Sequence, residues 1–112
     1  MDYQDSLPLS EAVFFILLSL SPGPKHGYAI MKDVQSLSDL RVNLSTGTLY
    51  GALKRLLEAD WVERVDGEMK NGRDRKSYRL TQLGRGILDA ETARMQNLVA
   101  AAQKRSSLGN TI

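Results

Sequence analysis

The chain has 112 residues, enough for one small domain, and its 42% hydrophobic and 25% charged residues are ordinary for a globular protein. It contains no cysteine and one histidine, His26, which excludes disulfides, thiol catalysis and a cysteine- or multi-histidine metal site within one chain. The net charge of +2 is too small to identify a partner, so the placement of the charges has to be examined.

The first ten residues, MDYQDSLPLS, carry acids and no basic segment, which is not the pattern of a secretory signal. The longest apolar run, Ala12 to Leu18, is much shorter than the ~20 residues that a membrane-spanning helix needs. We therefore expect a cytoplasmic protein with no membrane partner.

Two helices open the chain. Pro8 and Ser10 mark the start of a helix that runs to Leu20 and is apolar nearly all round. Since a surface helix has only one apolar stripe, we expect a second subunit to cover part of it. After a Pro-Gly-Pro turn, apolar residues at helical spacing predict a second helix from about His26 to Leu37. A short strand is expected at Val42–Leu44.

Ser45 is a good N-cap for a third helix, Thr46 to Ala59. Its leucines share one face, and the opposite face carries Gly47, Gly51 and Lys54. Two glycines on an exposed helix face cost about 1 kcal/mol each relative to Ala, and close approach to a DNA major groove would compensate. The hydroxyl residues at its start either cap the helix or hold a phosphate, and the residues alone leave both interpretations open.

A basic hairpin follows. Apolar and β-branched residues predict a strand over Trp61–Glu68, Asn71-Gly72 predicts a tight turn, and Lys76–Leu80 reads as the returning strand. Between Lys70 and Arg79 there are five basic residues and one acid, a net charge of +4. A solvated turn would explain this run, but its place after the third helix favours a wing that grips phosphates or enters a minor groove.

Thr81 is expected to cap a long fourth helix, about Gln82 to Arg105, followed by a frayed tail. Its apolar stripe continues past the domain, which predicts a two-fold interface with the partner's first and fourth helices. The residues assigned to dimerisation are Phe14, Phe15, Leu18, Leu88, Met95, Leu98, Val99 and Ala102.

The predicted fold is mainly α with a small β-hairpin: a winged helix-turn-helix DNA-binding domain over residues 1–81, a long C-terminal dimerisation helix over 82–105 and a tail over 106–112. The predicted partner is double-stranded DNA, a palindromic operator read by a homodimer with half-sites about 34 Å apart. The predicted DNA-binding residues are Ser45, Thr46, Gly47, Thr48, Tyr50, Lys54, Arg55, Arg73, Arg75, Lys76, Lys25, His26 and Tyr28.

From Leu9 to about Leu88 the sequence resembles the PadR family of transcriptional regulators. The resemblance is carried by ILLSLSPGPKHGYAIMK, STGTLYGALKRLLEADWVER and GRDRKSYRLTQLGR, although Gly51, Asp60 and Asp74 replace a common Pro, Gly and Pro. It implies a dimeric repressor completed by its last helix, in the compact subfamily with a single C-terminal helix. Members often respond to a small aromatic or drug-like ligand, so the resemblance adds a small-molecule effector to the expected partners.

Three other interpretations compete with this one. A winged helix can serve as a protein- or RNA-interaction module without binding operator DNA. The MarR type is another winged-helix family, but its chains are usually longer. An enzyme is not expected, because no catalytic constellation of Ser, His, Cys or carboxylates is present, and no cofactor is predicted.

Overall fold

The computed structural model describes residues 3–70 and 73–109, and the side chains of residues 3–65 and 76–108. A short 3-10 helix, Gln4–Ser6, precedes helix α1, Glu11–Ser19. Strand β1, Lys25–His26, leads directly into α2, Gly27–Leu37, and α3 spans Thr46–Glu58. Strands β2, Val62–Lys70, and β3, Arg73–Leu80, form the hairpin, and α4 spans Gln82–Gly109. The mainly helical fold with a small hairpin is confirmed.

The sheet has three antiparallel strands in the order β1-β3-β2. The strand expected at Val42–Leu44 is wrong, because the third strand is β1, whose Lys25 pairs with Tyr78. The Val42 amide instead donates to the Ser38 hydroxyl at 3.0 Å, which closes a local turn. Leu44 fills the core without joining the sheet. The Asn71-Gly72 turn lies outside the described residues.

The core lies where the three N-terminal helices meet the base of the hairpin and the first part of α4. Each helix contributes side chains at helical spacing, as periodicity predicts. The hydrophobic residues with the least exposure are Ile16, Leu17, Leu20, Ile30, Val34, Leu49, Leu53, Val62 and Ile87.

Helix α3 ends at an aspartate in the left-handed conformation. The Asp60 amide donates to the Leu57 carbonyl at 3.1 Å, and the Trp61 amide donates to the Leu56 carbonyl at 3.0 Å. These two bonds form a Schellman motif, in which the residue after the cap has a positive φ and is usually Gly. Asp60 has φ 66° and an exposed side chain, so the helix is sharply terminated even though Gly is replaced.

The Asp60→Gly variant is expected to be more stable than the natural sequence by about 0.5–1 kcal/mol. A side chain in the left-handed region costs about 1–2 kcal/mol, and the greater freedom of Gly in the unfolded chain offsets part of the gain. Urea unfolding at fixed protein concentration measures the difference. Asp60→Ala is the matched control, because it keeps the Cβ atom; equal midpoints for the Gly and Ala variants would contradict the backbone explanation.

Helix α4 starts at Gln82 as predicted but passes Arg105 and reaches Gly109, so residues 106–109 are helical rather than frayed. The radius of gyration of 16.8 Å exceeds the ~13 Å expected for a compact domain of this length. All side chains from Gln96 to Leu108 are exposed. The second half of α4 therefore extends away from the core.

Candidate nucleic-acid interface

Helix α3 has one face in the core and one open face. Leu49, Leu53 and Leu56 are buried, whereas Lys54 and Arg55 on the other side are exposed. A Cβ atom on Gly47 or on Gly51 would meet nothing within 4 Å beyond its chain neighbours and the nearby backbone of its own helix. The glycines therefore face open space, as the helical wheel predicts.

The start of α3 is capped by its own hydroxyl residues. The Thr48 amide donates to the Ser45 Oγ at 3.1 Å, and the Ser45 hydroxyl donates to Thr48 Oγ1 at 2.9 Å. The sequence left open whether these hydroxyl groups cap the helix or hold a phosphate, and the structure shows them capping it. Thr46, Gly47 and Thr48 are exposed at this helix end.

Tyr50 connects the outer edge of α3 to the start of α2. A Cβ atom on Gly27 would lie 2.4 Å from the Tyr50 hydroxyl oxygen, so this glycine gives the tyrosine room. Gly27 is buried and the Tyr50 side chain remains 45% exposed. Part of Tyr50 thus holds two helices together, a role that the sequence pattern did not indicate.

Tyr78 on the central strand lies close to the same edge of α3. Burial raises the pKa of the Tyr78 phenol, the neighbouring Tyr50 adds to the rise, and Arg64 opposes it. Arg64 is exposed on β2 and pairs in register with Tyr78. The base of the hairpin and the outer edge of α3 are therefore neighbours.

The start of α2 brings together three of the predicted DNA-binding residues, Lys25, His26 and Tyr28. His26 is the N-cap, and its Nδ1 accepts from the Ala29 amide at 3.3 Å. Lys25 Nζ lies 3.8 Å from an Asp33 carboxylate oxygen, so this cation has an acidic neighbour. Tyr28 is 62% exposed, with the Lys32 ammonium 5.6 Å from its ring centroid. The sequence analysis did not single out Lys32, although its spacing of four residues from Tyr28 places it on the same helix face.

The hairpin carries both paired and exposed cations. The Arg79 Nε lies 2.6 Å from a Glu63 carboxylate oxygen, which partly neutralises the basic run. Lys76 is exposed. The side chains of Arg73 and Arg75, on which the predicted wing also depends, lie outside the described residues.

The residues assigned to dimerisation separate into three groups. Leu88 is 4% exposed and belongs to the chain's own core, so the structure corrects its assignment to an interface. Phe14, Phe15, Leu18 and Met95 are half-buried, whereas Leu98, Val99 and Ala102 are exposed. A cleft of about 260 Å³ lies between α1 and α4, lined by Leu9, Glu11, Phe14, Phe15, Glu91, Arg94 and Met95.

Glu91 ties α4 to the N-terminal segment. Its carboxylate is buried, accepts from the Leu9 amide at 2.7 Å and pairs with Arg94. The hydrogen bond from Arg94 holds the pKa of Glu91 below its usual value; burial acts in the opposite direction and the Leu9 amide reinforces the lowering. Sequence reasoning missed this residue, because its partner amide is 82 positions away.

The described residues contain no group of three or more His, Asp or Glu able to hold a metal ion. No helix in the described part of the chain is long and apolar enough to cross a membrane.

The chain is similar to known regulators in sequence and in structure. A model of the transcriptional regulator PadR-like family matches residues 16–90. A PadR family transcription regulator from hypervirulent Clostridium difficile R20291 superposes with a TM-score of 0.72 at 24% identity, over 85% of this chain and 97% of that one. Bacillus subtilis PadR in complex with operator DNA superposes with a TM-score of 0.63 at 22% identity, over 70% of this chain and 44% of that one.

A curated relative is a 37.1 kDa protein in transposon TN4556 of Streptomyces fradiae. It is 37% identical over 89 residues, which are 80% of this chain. The chain spans 24% of the length of that relative. The two superpositions, at identities of 22% and 24%, establish a shared fold.

Proposed function

Since the chain belongs to the PadR-like family of transcriptional regulators, we propose that it binds a palindromic operator in double-stranded DNA as a homodimer. Helix α3 enters the major groove and the β2–β3 hairpin contacts the adjacent backbone or minor groove. The observation that carries the proposal is the outer face of α3, where Gly47 and Gly51 are unobstructed and Lys54 is exposed.

The glycine face has a physical rationale in this setting. Gly51, inside α3, lowers the stability of the helix by about 1 kcal/mol relative to alanine, and neither Gly47 nor Gly51 makes room for a neighbour within the chain. A helix without side chains at these positions can bring its backbone close to the base edges. Lys54, one turn beyond Gly51, is then within reach of a guanine, the commonest specific contact of a basic side chain.

Phosphate contacts would surround this face. We assign them to the cations of the hairpin and to residues at the starts of α2 and α3. The proposed contacts beyond Gly47, Gly51 and Lys54 are Thr46, Thr48, Tyr50, Arg55, Arg73, Arg75, Lys76, Lys25, His26 and Tyr28, with Ser45 acting through its cap. Contacts of this kind position the protein on the duplex, while base contacts give specificity.

The proposed dimer uses α1 and the second half of α4. Leu98 and Val99 are 57% and 54% exposed, and they continue the stripe that packs in the core as Ile87 and Leu88. A protruding helix with such a stripe is stabilised by burying it against another chain. The cleft beside Phe14, Phe15 and Met95 offers the partner an apolar surface. The subunit contacts would be two-fold, as the palindrome requires.

The resemblance of the sequence to PadR regulators supports a proposal for the direction of regulation. We propose that the bound dimer represses transcription and that a small aromatic or drug-like ligand relieves the repression. Transcription in vitro from a promoter containing the selected operator, with and without such ligands, tests both statements. Activation by the protein would overturn the first, and an unchanged transcript level with every ligand would overturn the second.

Lys54→Ala is expected to weaken binding to a selected duplex by about 1–3 kcal/mol and to relax the base preference at one position of each half-site. Arg73→Ala should weaken binding to all duplexes alike and reduce the slope of log affinity against log salt by about one unit. Fluorescence anisotropy at several salt concentrations measures both effects.

Lys104→Ala is the matched control, since Lys104 is exposed on the distal part of α4. The proposed surface would be contradicted by unchanged affinity in both the Lys54 and the Arg73 variants. Binding to RNA or a protein but to no duplex would overturn operator binding as a whole.

Leu98→Glu is expected to halve the molar mass of the protein measured by light scattering at micromolar concentration. The variant would place a carboxylate in the apolar contact between two copies of α4, where desolvation of a charge is strongly unfavourable. Ala100→Glu, an exposed position on the opposite side of α4, is the control and should leave the mass unchanged. A monomeric natural protein would refute the dimer.

A further inference from the structure

The short segment Asp60–Trp61 contacts both α3 and α4. The Trp61 amide donates to the Leu56 carbonyl in the last turn of α3 at 3.0 Å. The Trp61 carbonyl accepts from the Thr81 amide at 3.1 Å, directly before α4. A Cβ atom on Gly84 would lie 1.9 Å from that carbonyl oxygen, so the first turn of α4 rests on the Trp61 backbone.

The Thr81 hydroxyl joins the same two elements a second time. It donates to the Asp60 carbonyl at 2.6 Å and accepts from the Gly84 amide at 3.0 Å. An N-cap needs only the second of these bonds, because capping uses the side-chain oxygen as an acceptor. The bond to Asp60 is therefore additional to capping, and it links the end of α3 to the start of α4.

A small change in the angle between α3 and α4 would move the far end of α4 by a large distance. The 28 residues of α4 span about 42 Å at 1.5 Å per residue. A tilt of about 10° at its start would move its far end by roughly 7 Å, which is about two base pairs at 3.4 Å each. Because the exposed stripe lies towards that far end, in the proposed dimer the angle between α3 and α4 governs where α3 of the second subunit meets the duplex.

We infer that Thr81 is a positioning residue that fixes the angle between α3, the proposed DNA-reading helix, and α4, the proposed dimerisation helix, and thereby the half-site spacing that the dimer accepts. The inference rests on the proposed function, since it needs both the dimer and the duplex. Its physical basis is the two bonds of one hydroxyl group, which add to the Thr81 amide–Trp61 carbonyl bond in holding α3 and α4 at one angle.

Two substitutions separate this role from capping. Thr81→Ser keeps a hydroxyl that both donates and accepts. Thr81→Asp keeps an acceptor for the Gly84 amide but has no hydrogen to donate to the Asp60 carbonyl when ionised. Both Ser and Asp are good N-caps, so the two variants should have similar helix stability.

The experiment uses the full chain and duplexes that carry two copies of the half-site selected by the natural protein. The centres of the half-sites are separated by about 8 to 13 base pairs in single steps around one helical turn. The readout is the ratio of affinities between the best spacing and its neighbours, so a uniform effect of the added charge on DNA binding cancels.

We expect the natural protein and Thr81→Ser to share one sharp spacing preference. For Thr81→Asp, the ratio of affinities between the best spacing and its neighbours should fall about fivefold, which corresponds to the loss of about one net hydrogen bond. The variant should still select the same half-site bases. Thr81→Ala, which lacks both bonds, should broaden the preference at least as much, and it provides the test if Thr81→Asp does not fold.

A Thr81→Asp or Thr81→Ala protein with the spacing profile of the natural chain would overturn the inference and leave the proposed function standing. If the natural protein selects no paired half-sites from a random pool, the proposed function itself is overturned and the inference with it.

Discussion

Gly51→Glu is expected to weaken duplex binding severely without harming the fold. A Cβ atom at this position meets nothing within 4 Å beyond its chain neighbours and its own helix backbone, and glutamate is a better helix former than glycine by about 0.5 kcal/mol. In the proposed complex, however, the new carboxylate would stand between the helix and the base edges and face the phosphates. Like-charge juxtaposition of this kind costs several kcal/mol, so we expect affinity to fall by about a hundredfold or more.

The measurement pairs duplex affinity with urea unfolding for the same variant. Ala100→Glu is the matched control, because it adds the same side chain and the same charge at an exposed position of α4. It should leave duplex affinity nearly unchanged. A stable Gly51→Glu protein that binds the selected duplex like the natural chain would remove α3 from the interface.

Gly84→Ala is expected to destabilise the protein by about 3 kcal/mol, at the upper end of overpacking effects. The added Cβ would lie 1.9 Å from the Trp61 carbonyl oxygen and 2.8 Å from its carbonyl carbon. Neither atom can move away easily, because the Trp61 amide and carbonyl are both hydrogen-bonded to other elements. Such a loss is a large share of the 5–15 kcal/mol that stabilises a typical domain.

The same substitution elsewhere in the chain provides the controls. Gly51→Ala should stabilise by about 1 kcal/mol, since it gains helix propensity in open space. Gly86→Ala should fall between the two, because its obstacle is the ring of Tyr3, a side chain that can turn aside. Unfolding midpoints at one protein concentration would rank the three variants, and a Gly84→Ala protein as stable as the natural chain would contradict the close approach.

The starts of the helices were predictable because their signals are local. Ser10 and Ser45 cap helices through an amide three residues ahead, and the Thr81 hydroxyl bonds the Gly84 amide in the same way. The open face of α3 was predictable for a similar reason, since helical periodicity alone separates Gly47 and Gly51 from the leucines. The end of α4 was less predictable, because the helix continues through residues 106–109 beyond the expected end at Arg105.

What only the tertiary structure decided depends on residues far apart in sequence. The third strand forms at Lys25–His26 rather than at Val42–Leu44. Lys25 and His26 pair with the edge of β3 that β2 leaves open, whereas the Val42 amide is already bonded to the Ser38 hydroxyl. Leu88 and Leu98 look alike in the periodic pattern, yet one packs in the core and the other is exposed. Glu91 is buried against an amide 82 residues away. Sequence periodicity fixes which side chains share a face of a helix, whereas the partner that covers each face is set by long-range packing that no local signal encodes.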